Sequence, residues 1–388
     1  MSNAPYDIVI VDGLSTIEQD EWQSCTTDHP FISYAFLRAL EVSLSVGPEH
    51  TGWIPRHITL RDEGGILIGA MPNYLKLHSQ GEYIFDHSWA EAYMHAGGHY
   101  YPKSQCSIPF TPATGPRLLI HQDKNPSEQK DIEQALLSAA KEFTDKNYLS
   151  SFHATFLTKD QSESAADCGL LIRNDQQFHW YNQGFNHFDD FLDSLSSRKR
   201  KQIRKERRTA AQADVNINQL SGRDLTDWHW DIFFQCYQDT GARKWGTPYL
   251  TKEFFLQVGQ TMPDQIMMVF VTSMSGDPIA AALNFVGKEA IYGRHWGALK
   301  HFDCLHFEAC YYQAIDYAIK HGLKRVEAGA QGPHKIARGY QPTKTYSAHY
   351  LREAAFHDAV AQFLEAEKKH VDAEIDYLTD FLPFKKSL

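Results

Sequence analysis

Residues 265–298, QIMMVFVTSMSGDPIAAALNFVGKEAIYGRHWGA, predict three consecutive β-strands. Two apolar runs flank Gly276 and Asp277, which are typical of a tight hairpin turn, and a third apolar run follows. Gly322 is suited to end a helix, and the next strand is predicted at Arg325 to Ala328. Strands that alternate with helices in this way predict a mixed α/β sheet. The surrounding helical periodicity predicts helices at 196–211, 224–240, 251–260 and 304–321.

The N-terminal half repeats this order of elements. A strand at 6–11 and a helix at 29–46 precede a hairpin whose turn contains Gly64 and Gly65. A helix near 128–145 and further strands follow. No repeat of individual residues accompanies the repeated order, as expected for a duplication whose sequences have diverged. The sequence therefore predicts two α/β domains in tandem, 1–190 and 191–388.

Composition restricts the class of protein. The 388 residues are 43% hydrophobic and 22% charged, with a formal net charge of −10, which is typical of a globular chain and not of a general nucleic-acid coat. The apolar runs are too short to span a bilayer, and no signal-peptide pattern opens the chain, so we expect a cytoplasmic protein. Six scattered cysteines without a C-x-x-C pair indicate reduced thiols, and no metal is expected.

A basic segment contrasts with this net charge. Residues 194–208, SLSSRKRKQIRKERR, contain eight Arg and Lys, whereas only Ile203 and Ala210 form an apolar face on the predicted helix. Such a helix is either an ordinary solvated face or a site for phosphate groups, to which arginine offers bidentate hydrogen bonds. The predicted polyanion-binding residues are Arg198, Arg200, Arg204 and Arg207.

The stretch EAGAQGPHKIARGYQP, residues 327–342, is the candidate for chemistry. Its glycines permit close approach of a ligand to the backbone. General acid–base chemistry needs a residue that takes a proton and groups that stabilise developing negative charge. Glu327 or His334 can serve as the base, whereas Lys335 and Arg338, with Gln331, can bind substrate. The alternative is an ordinary polar loop.

Two other segments supply candidate substrate contacts. Arg294 and Trp296 alternate on a predicted strand and share one face, although an isolated aromatic residue such as Trp296 is more often part of a core. In the first half, the aromatic and Gly/Pro-rich stretch 85–119 is long for a connection, which favours either a substrate groove or packing between domains. Its candidate residues are Tyr100, Tyr101, Lys103 and Arg117.

Several of these segments together resemble the Fem-like, peptidoglycan-biosynthesis branch of the GNAT acyltransferase superfamily. The resemblance rests on LSSRKRKQIRKERR, YQDTGARKWGTPYLTKEFF, YGRHWGA, HFEACYYQAIDYAIKHG and VEAGAQGPHKIARGYQP. It is greatest to an uncharacterised bacterial subfamily that also carries HPFISYAFL and YYPKSQCSIPFTPATGPRLL. It implies two tandem GNAT-like domains with a groove, and transfer of an acyl or aminoacyl group to an amine.

Two departures from the family pattern concern the donor. The nearest match to the pyrophosphate loop of acetyl-CoA enzymes, Arg294 to Leu299, ends in Leu299 where Gly or Ala is expected. No sustained heptad pattern of a coiled-coil arm is present either. The donor therefore stays open between acyl-CoA and aminoacyl-tRNA, and the acceptor is a small or nucleotide-linked substrate. The alternative function is a non-catalytic module that recognises a peptidoglycan precursor or RNA.

Overall fold

A computed structural model describes residues 6–244, 248–329 and 332–385. The strands are β1 (Asp7–Val11), β2 (Trp53–Pro55), β3 (His57–Arg61), β4 (Leu67–Met71), β5 (Asn73–Lys76), β6 (Lys103–Cys106), β7 (Leu119–Ile120), β8 (Ser151–Leu157), β9 (Leu171–Tyr181), β10 (Val215–Ser221), β11 (Ile266–Ser273), β12 (Pro278–Val286), β13 (Ala290–Ala298), β14 (Arg325–Glu327) and β15 (Gln341–Leu351).

The helices alternate with these strands. They are α1 (Gln19–Ser24), α2 (Tyr34–Val42), α3 (His87–His95), α4 (Pro126–Lys146), α5 (Lys159–Asp167), α6 (Phe188–Ser194), α7 (Ser197–Ala211), α8 (Asp227–Lys244), α9 (Lys252–Thr261), α10 (Leu305–Phe307), α11 (Gln313–Lys320) and α12 (Ala354–Thr379). A π-helical turn, Glu308–Tyr312, joins α10 to α11, and a 3-10 helix spans Pro333–Arg338. None of the helices among the described residues is long and apolar enough to cross a membrane. The cytoplasmic location stays a prediction.

The chain forms two compact units whose bounds differ from the predicted domains. The first unit comprises Met1–Asp175 and Lys344–Asp372, and the second comprises Gln176–Thr343 and Ala373–Leu388. Residues 344–372 belong to the first unit because β15 pairs with β8, and Val360 and Leu364 of α12 join Trp89 in a buried cluster. The order of elements along the chain carries no signal for this exchange.

The first unit contains two groups of paired strands. One is the antiparallel order β1-β3-β4-β7, and the other is β2-β5-β6-β8-β15, in which β6 and β8 run parallel. One face of β8 buries Phe152 and Ala154 against α4, whose apolar residues recur at helical spacing. Ser151, His153 and Thr155 alternate with them and therefore lie on the opposite face.

The second unit is built on the strand order β10-β11-β12-β13-β14-β9. The strands from β10 to β13 are antiparallel, β13 and β14 are parallel, and β14 and β9 are antiparallel. Gly276 has φ 90° in the turn between β11 and β12, so the predicted hairpin is confirmed. The mixed α/β architecture predicted from the sequence is confirmed as well.

Candidate active site of the second unit

The centre of the second unit is the place where β13 and β14 separate. The two strands pair in parallel only from Ala290 to Tyr292, opposite Arg325 to Glu327. β13 then continues to Ala298 through its pairing with β12. Gly293 lies at the point of separation, where an added Cβ would stand 3.6 Å from the Glu327 carbonyl oxygen. The edge of β13 beyond Tyr292 is therefore not paired with β14 within the described residues.

A β-bulge lies beside this separation. Leu283 pairs with His295 and Asn284 pairs with Gly293, so Arg294 is the extra residue on β13. Bulges bend a strand locally and are common next to active sites. The predicted alternation that placed Arg294 and Trp296 on one face is interrupted here. Trp296 packs against the core of the unit, with its ring 5.5 Å from that of His306.

The Glu327 carboxylate ends β14 in a buried position. Its Oε1 accepts a hydrogen bond from Arg325 Nε at 2.8 Å, and its Oε2 lies 3.7 Å from His179 Nε2. Oε2 accepts no hydrogen bond from the described residues, although the whole residue is only 4% exposed. A buried acceptor without a donor is costly, which favours a ligand with N–H groups at this position.

The Lys335 side chain is also buried, at 2% exposure. Its Nζ donates to the Gly329 carbonyl oxygen at 2.7 Å, and Gly329 has φ 73°, in the left-handed region. Burial lowers the pKa of Lys335 to about 7. Lys335 therefore provides an amine whose pKa matches that of a general base at neutral pH.

His179 lies next to Glu327 in the sheet. The two residues pair across β9 and β14, and burial lowers the pKa of His179, while the charge of Glu327 opposes this shift and the charges of Arg325 and Lys335 add to it. The sequence reasoning missed His179, Arg325 and Tyr292, whose hydroxyl accepts from Arg325 at 3.4 Å. The available signal was a polar His179 next to Trp180 in a strand that alternates between two faces.

The other predicted residues of the glycine-rich stretch have partners of their own. Nε2 of His334 and the Tyr311 hydroxyl form a hydrogen bond of 2.9 Å. Arg338 is 4% exposed, and its Nη2 donates to both carboxylate oxygens of Glu206 at 2.9 Å. Arg338 is thus held by an acidic residue of α7. Gln331 lies outside the described residues.

The match to the pyrophosphate loop occupies a strand. Arg294 to Ala298 belong to β13, so their amides do not open a helix. An added Cβ at Gly297 would stand 1.9 Å from the Cys236 carbonyl oxygen of α8. Close approach of helix and strand thus explains this glycine without a phosphate.

Among the described residues, the cations of helix α7 divide into those that pair with carboxylates and those that do not. Arg200 pairs with Asp193 at 2.7 Å, and Arg204 pairs with Asp189 at 3.3 Å. Arg207 bonds to Glu308 and Asp316. The exposed residues that follow one another at intervals of three and four have no ion pair within the described residues. We call them the cationic stripe: Arg198, Lys201, Lys205 and Arg208.

The substrate residues predicted in the first unit are mostly buried. Lys103 Nζ donates to Ser79, Glu82 and Asp86 at 2.9, 2.8 and 2.5 Å. The Tyr100 hydroxyl donates to Asp86 Oδ2 at 2.6 Å. These contacts tie both residues to one buried cluster inside the unit.

The remaining two residues of that prediction also have local partners. Arg117 is fully buried, and its guanidinium donates to the carbonyl oxygens of Ala113 and Thr155 at 2.7 and 3.0 Å. Such contacts brace the chain from within. The Tyr101 hydroxyl is 2.8 Å from Ser79 Oγ, and its side chain is half-buried.

The cluster around Lys103 is rich in ionisable groups that the sequence did not single out. Burial raises the pKa of Glu82 to about 7 and lowers that of Lys76 to about 7. The Nδ1 atoms of His153 and His349 are 2.6 Å apart, so one of the two rings donates a hydrogen bond to the other. No group of three or more metal-ligating side chains occurs among the described residues.

Comparison with family models shows which protein family the chain belongs to. A family model described as peptidoglycan biosynthesis/recognition matches residues 13–386. The chain belongs to the FemAB-like family. No curated protein matches its sequence. The resemblance that the sequence motifs indicated is thereby confirmed.

Solved structures show the fold of this FemAB-like protein. It is similar to FemX, with a TM-score of 0.54 and 13% identity over 89% of this chain and 98% of that chain. It is also similar to the C-terminal domain of a putative lysylphosphatidylglycerol synthetase from Agrobacterium fabrum, with a TM-score of 0.54 and 10% identity over 92% and 96%. These likenesses confirm the predicted GNAT-like fold of two domains.

Proposed function

We propose that the second unit transfers an acyl or aminoacyl group to an amine. The observation that carries the proposal is the buried Glu327 Oε2, which has no donor among the described residues. A substrate ammonium supplies both the hydrogen bond and the charge that such an oxygen favours. Membership in a peptidoglycan biosynthesis/recognition family supports an acceptor amine on a peptidoglycan precursor.

Lys335 completes the chemistry. Because its pKa is about 7, a large fraction of the side chain is neutral at physiological pH. The neutral amine takes one proton from the bound ammonium, and the freed amine attacks the carbonyl carbon of the activated acyl group. The tetrahedral intermediate then collapses: the bond from the acyl carbon to the sulfur or oxygen of the donor breaks, the leaving group keeps that electron pair, and it takes up the second proton of the attacking nitrogen as the amide forms. This proposal differs from the sequence-based prediction, in which Glu327 or His334 is the base.

The donor stays open between an acyl-CoA and an aminoacyl-tRNA. The cationic stripe of α7 favours a donor or acceptor that carries phosphate groups.

The alternative function is a non-catalytic module that recognises a peptidoglycan precursor or RNA. The cationic stripe favours it because four exposed cations on one helix face bind phosphates without any catalytic group. A module of this kind has no need for a buried amine of low pKa. Lys335 thus separates the two functions.

The test compares Glu327→Gln with Glu253→Gln, an exposed position on α9. Each protein is incubated with a primary-amine acceptor and a panel of acyl-CoA and aminoacyl-tRNA donors, and the amide is measured by mass spectrometry. We expect Glu327→Gln to lower the rate roughly tenfold or more, because the variant loses the charge-assisted hydrogen bond to the ammonium. Glu253→Gln should match the unaltered protein. Equal rates for all three would overturn the role of Glu327, and binding without any transfer would favour the recognition module.

A further inference from the structure

Glu206 is the acidic residue of an otherwise cationic helix. α7 carries eight Arg and Lys, and Glu206 lies among them, one residue before Arg207. Its side chain is 12% exposed, so it does not face solvent with the cationic stripe. Its role must be sought in the residues that it contacts.

The Glu206 carboxylate joins three parts of the second unit. Both oxygens accept from Arg338 Nη2, and Oε1 accepts from Gln202 Nε2 of the same helix at 2.9 Å. Oε2 also accepts a hydrogen bond from the hydroxyl of Tyr312, in the π-helical turn. Hydrogen bonds between charged groups are stronger than neutral ones, so this carboxylate is firmly held.

Arg338 carries the contact into the 3-10 helix Pro333–Arg338. Its Nη1 donates to the His334 carbonyl oxygen at 2.8 Å, and its guanidinium lies 3.4 Å from the centre of the Phe307 ring. Lys335 lies between His334 and Arg338 in the same 3-10 helix, and its Nζ donates to the Gly329 carbonyl oxygen. The segment that carries Lys335 is thus fastened at one end by Glu206 and at the other by Gly329.

We propose that Glu206 is a positioning residue that holds the 3-10 helix Pro333–Arg338 in place and thereby keeps Lys335 buried against Gly329. Glu206 itself touches no substrate in this account. It acts through Arg338, whose side chain would otherwise be a buried cation without a carboxylate. The catalytic consequence rests on the proposed function, but the structural claim does not.

The experiment measures how accessible the Lys335 amine is. The folded protein is treated with a low concentration of acetic anhydride, and the rate of acetylation of each lysine is followed by peptide mass spectrometry. Glu206→Gln keeps the size of the side chain and removes its charge. Arg338→Lys keeps the positive charge and removes the planar guanidinium group. Glu253→Gln is the matched control on α9.

We expect Lys335 to react roughly tenfold faster or more in Glu206→Gln and in Arg338→Lys, because local opening governs access to a buried group. Lys76 and Lys103, fully buried in the first unit, should keep their slow rates. An unchanged Lys335 rate in both variants would overturn the proposal. An equal rise at Lys76, Lys103 and Lys335 would also overturn it, since it would show general unfolding. The assay needs no substrate, so its outcome is separate from that of the transfer assay.

Discussion

At the scale of single residues, the proposed chemistry depends on two buried groups, one acidic and one basic. Glu327 keeps one carboxylate oxygen without a donor, and Lys335 keeps an amine without a carboxylate partner among the described residues. Both arrangements cost stability, because burial penalises unpaired polar and charged groups. Such costs are usual where function requires a group to remain available.

The cost at Lys335 predicts a dependence on pH. Its pKa is about 7 in the folded protein, below the ordinary value of 10.5. Below pH 7 both folded and unfolded chains carry the proton, so the full penalty of a buried charge applies. Between pH 7 and 10.5 only the unfolded chain is protonated, so the free energy of unfolding rises as pH rises.

Lys335→Met removes the pH-dependent free-energy cost of burying the Lys335 amine. We expect the free energy of unfolding of the variant, relative to the unaltered protein, to be more favourable at pH 6 than at pH 10 by about 2–4 kcal/mol. Urea unfolding at the two pH values measures it, and comparing the difference between pH values cancels the lost hydrogen bond to Gly329. A difference that is the same at both pH values would show that Lys335 is not buried as a neutral amine.

At the scale of elements, the basic residues of α7 divide into those that pack within the second unit and those that face solvent. Arg207 reaches Glu308 and Asp316 and lies 4.3 Å above the Phe188 ring, whereas Lys201 and Lys205 face outward. Arg207→Ala should lower the free energy of unfolding by about 1–3 kcal/mol because it leaves the buried Glu308 without its cation. Lys201→Ala should change it by less than about 0.5 kcal/mol.

For the affinity for RNA, we expect the outward-facing lysines of α7 to matter more than Arg207. Lys201→Ala and Lys205→Ala should each weaken binding of a short RNA oligonucleotide and reduce the salt dependence of the affinity by about one phosphate contact. Fluorescence anisotropy at two salt concentrations measures both quantities. Affinity that does not change with salt, or with either lysine, would make the cationic stripe an ordinary solvated face.

The elements of the second unit were largely predictable, because local signals specify them. The turn at Gly276 and the alternation on either side predicted β11 and β12, and Gly322, with φ 66°, ends the helix α11 as expected. The bulge at Arg294 was not predictable, since it arises from the register between two strands. The partner of Glu206 was missed for the same reason: Arg338 is 132 residues away.

At the scale of the whole molecule, the sequence predicted where the candidate site lies along the chain but not which role each of its residues has. The sequence placed Glu327, His334, Lys335 and Arg338 together, whereas the structure places Glu327 beside His179, buries Lys335 against Gly329 and commits Arg338 to Glu206. Burial made the difference, because a polar side chain in a glycine-rich stretch gives no sign of how deeply it lies. The same holds for Lys103 and Arg117, which looked like groove residues and are internal.

The two units also differ in how their buried charges are arranged. In the first unit Lys103 has three acceptors and bridges Glu82 and Asp86. In the second unit Lys335 donates to a carbonyl oxygen instead. A cation bound by carboxylates is held in its charged form, whereas an amine with only a carbonyl partner loses its proton more readily on burial. Lys76 of the first unit resembles Lys335 in this respect, because burial lowers its pKa to about 7 and its Nζ donates to the Gln80 carbonyl oxygen.

The most direct test of the central claim is the pH dependence of amide formation at saturating amine, for the unaltered protein and for Lys335→Met. The account predicts a rate that increases with pH up to about 7, as Lys335 becomes neutral, and then levels off. In Lys335→Met the rate should fall roughly a hundredfold or more, and this limb of the profile should disappear. An identical rate and profile in the two proteins, or no transfer by the unaltered protein with any donor, would contradict the claim.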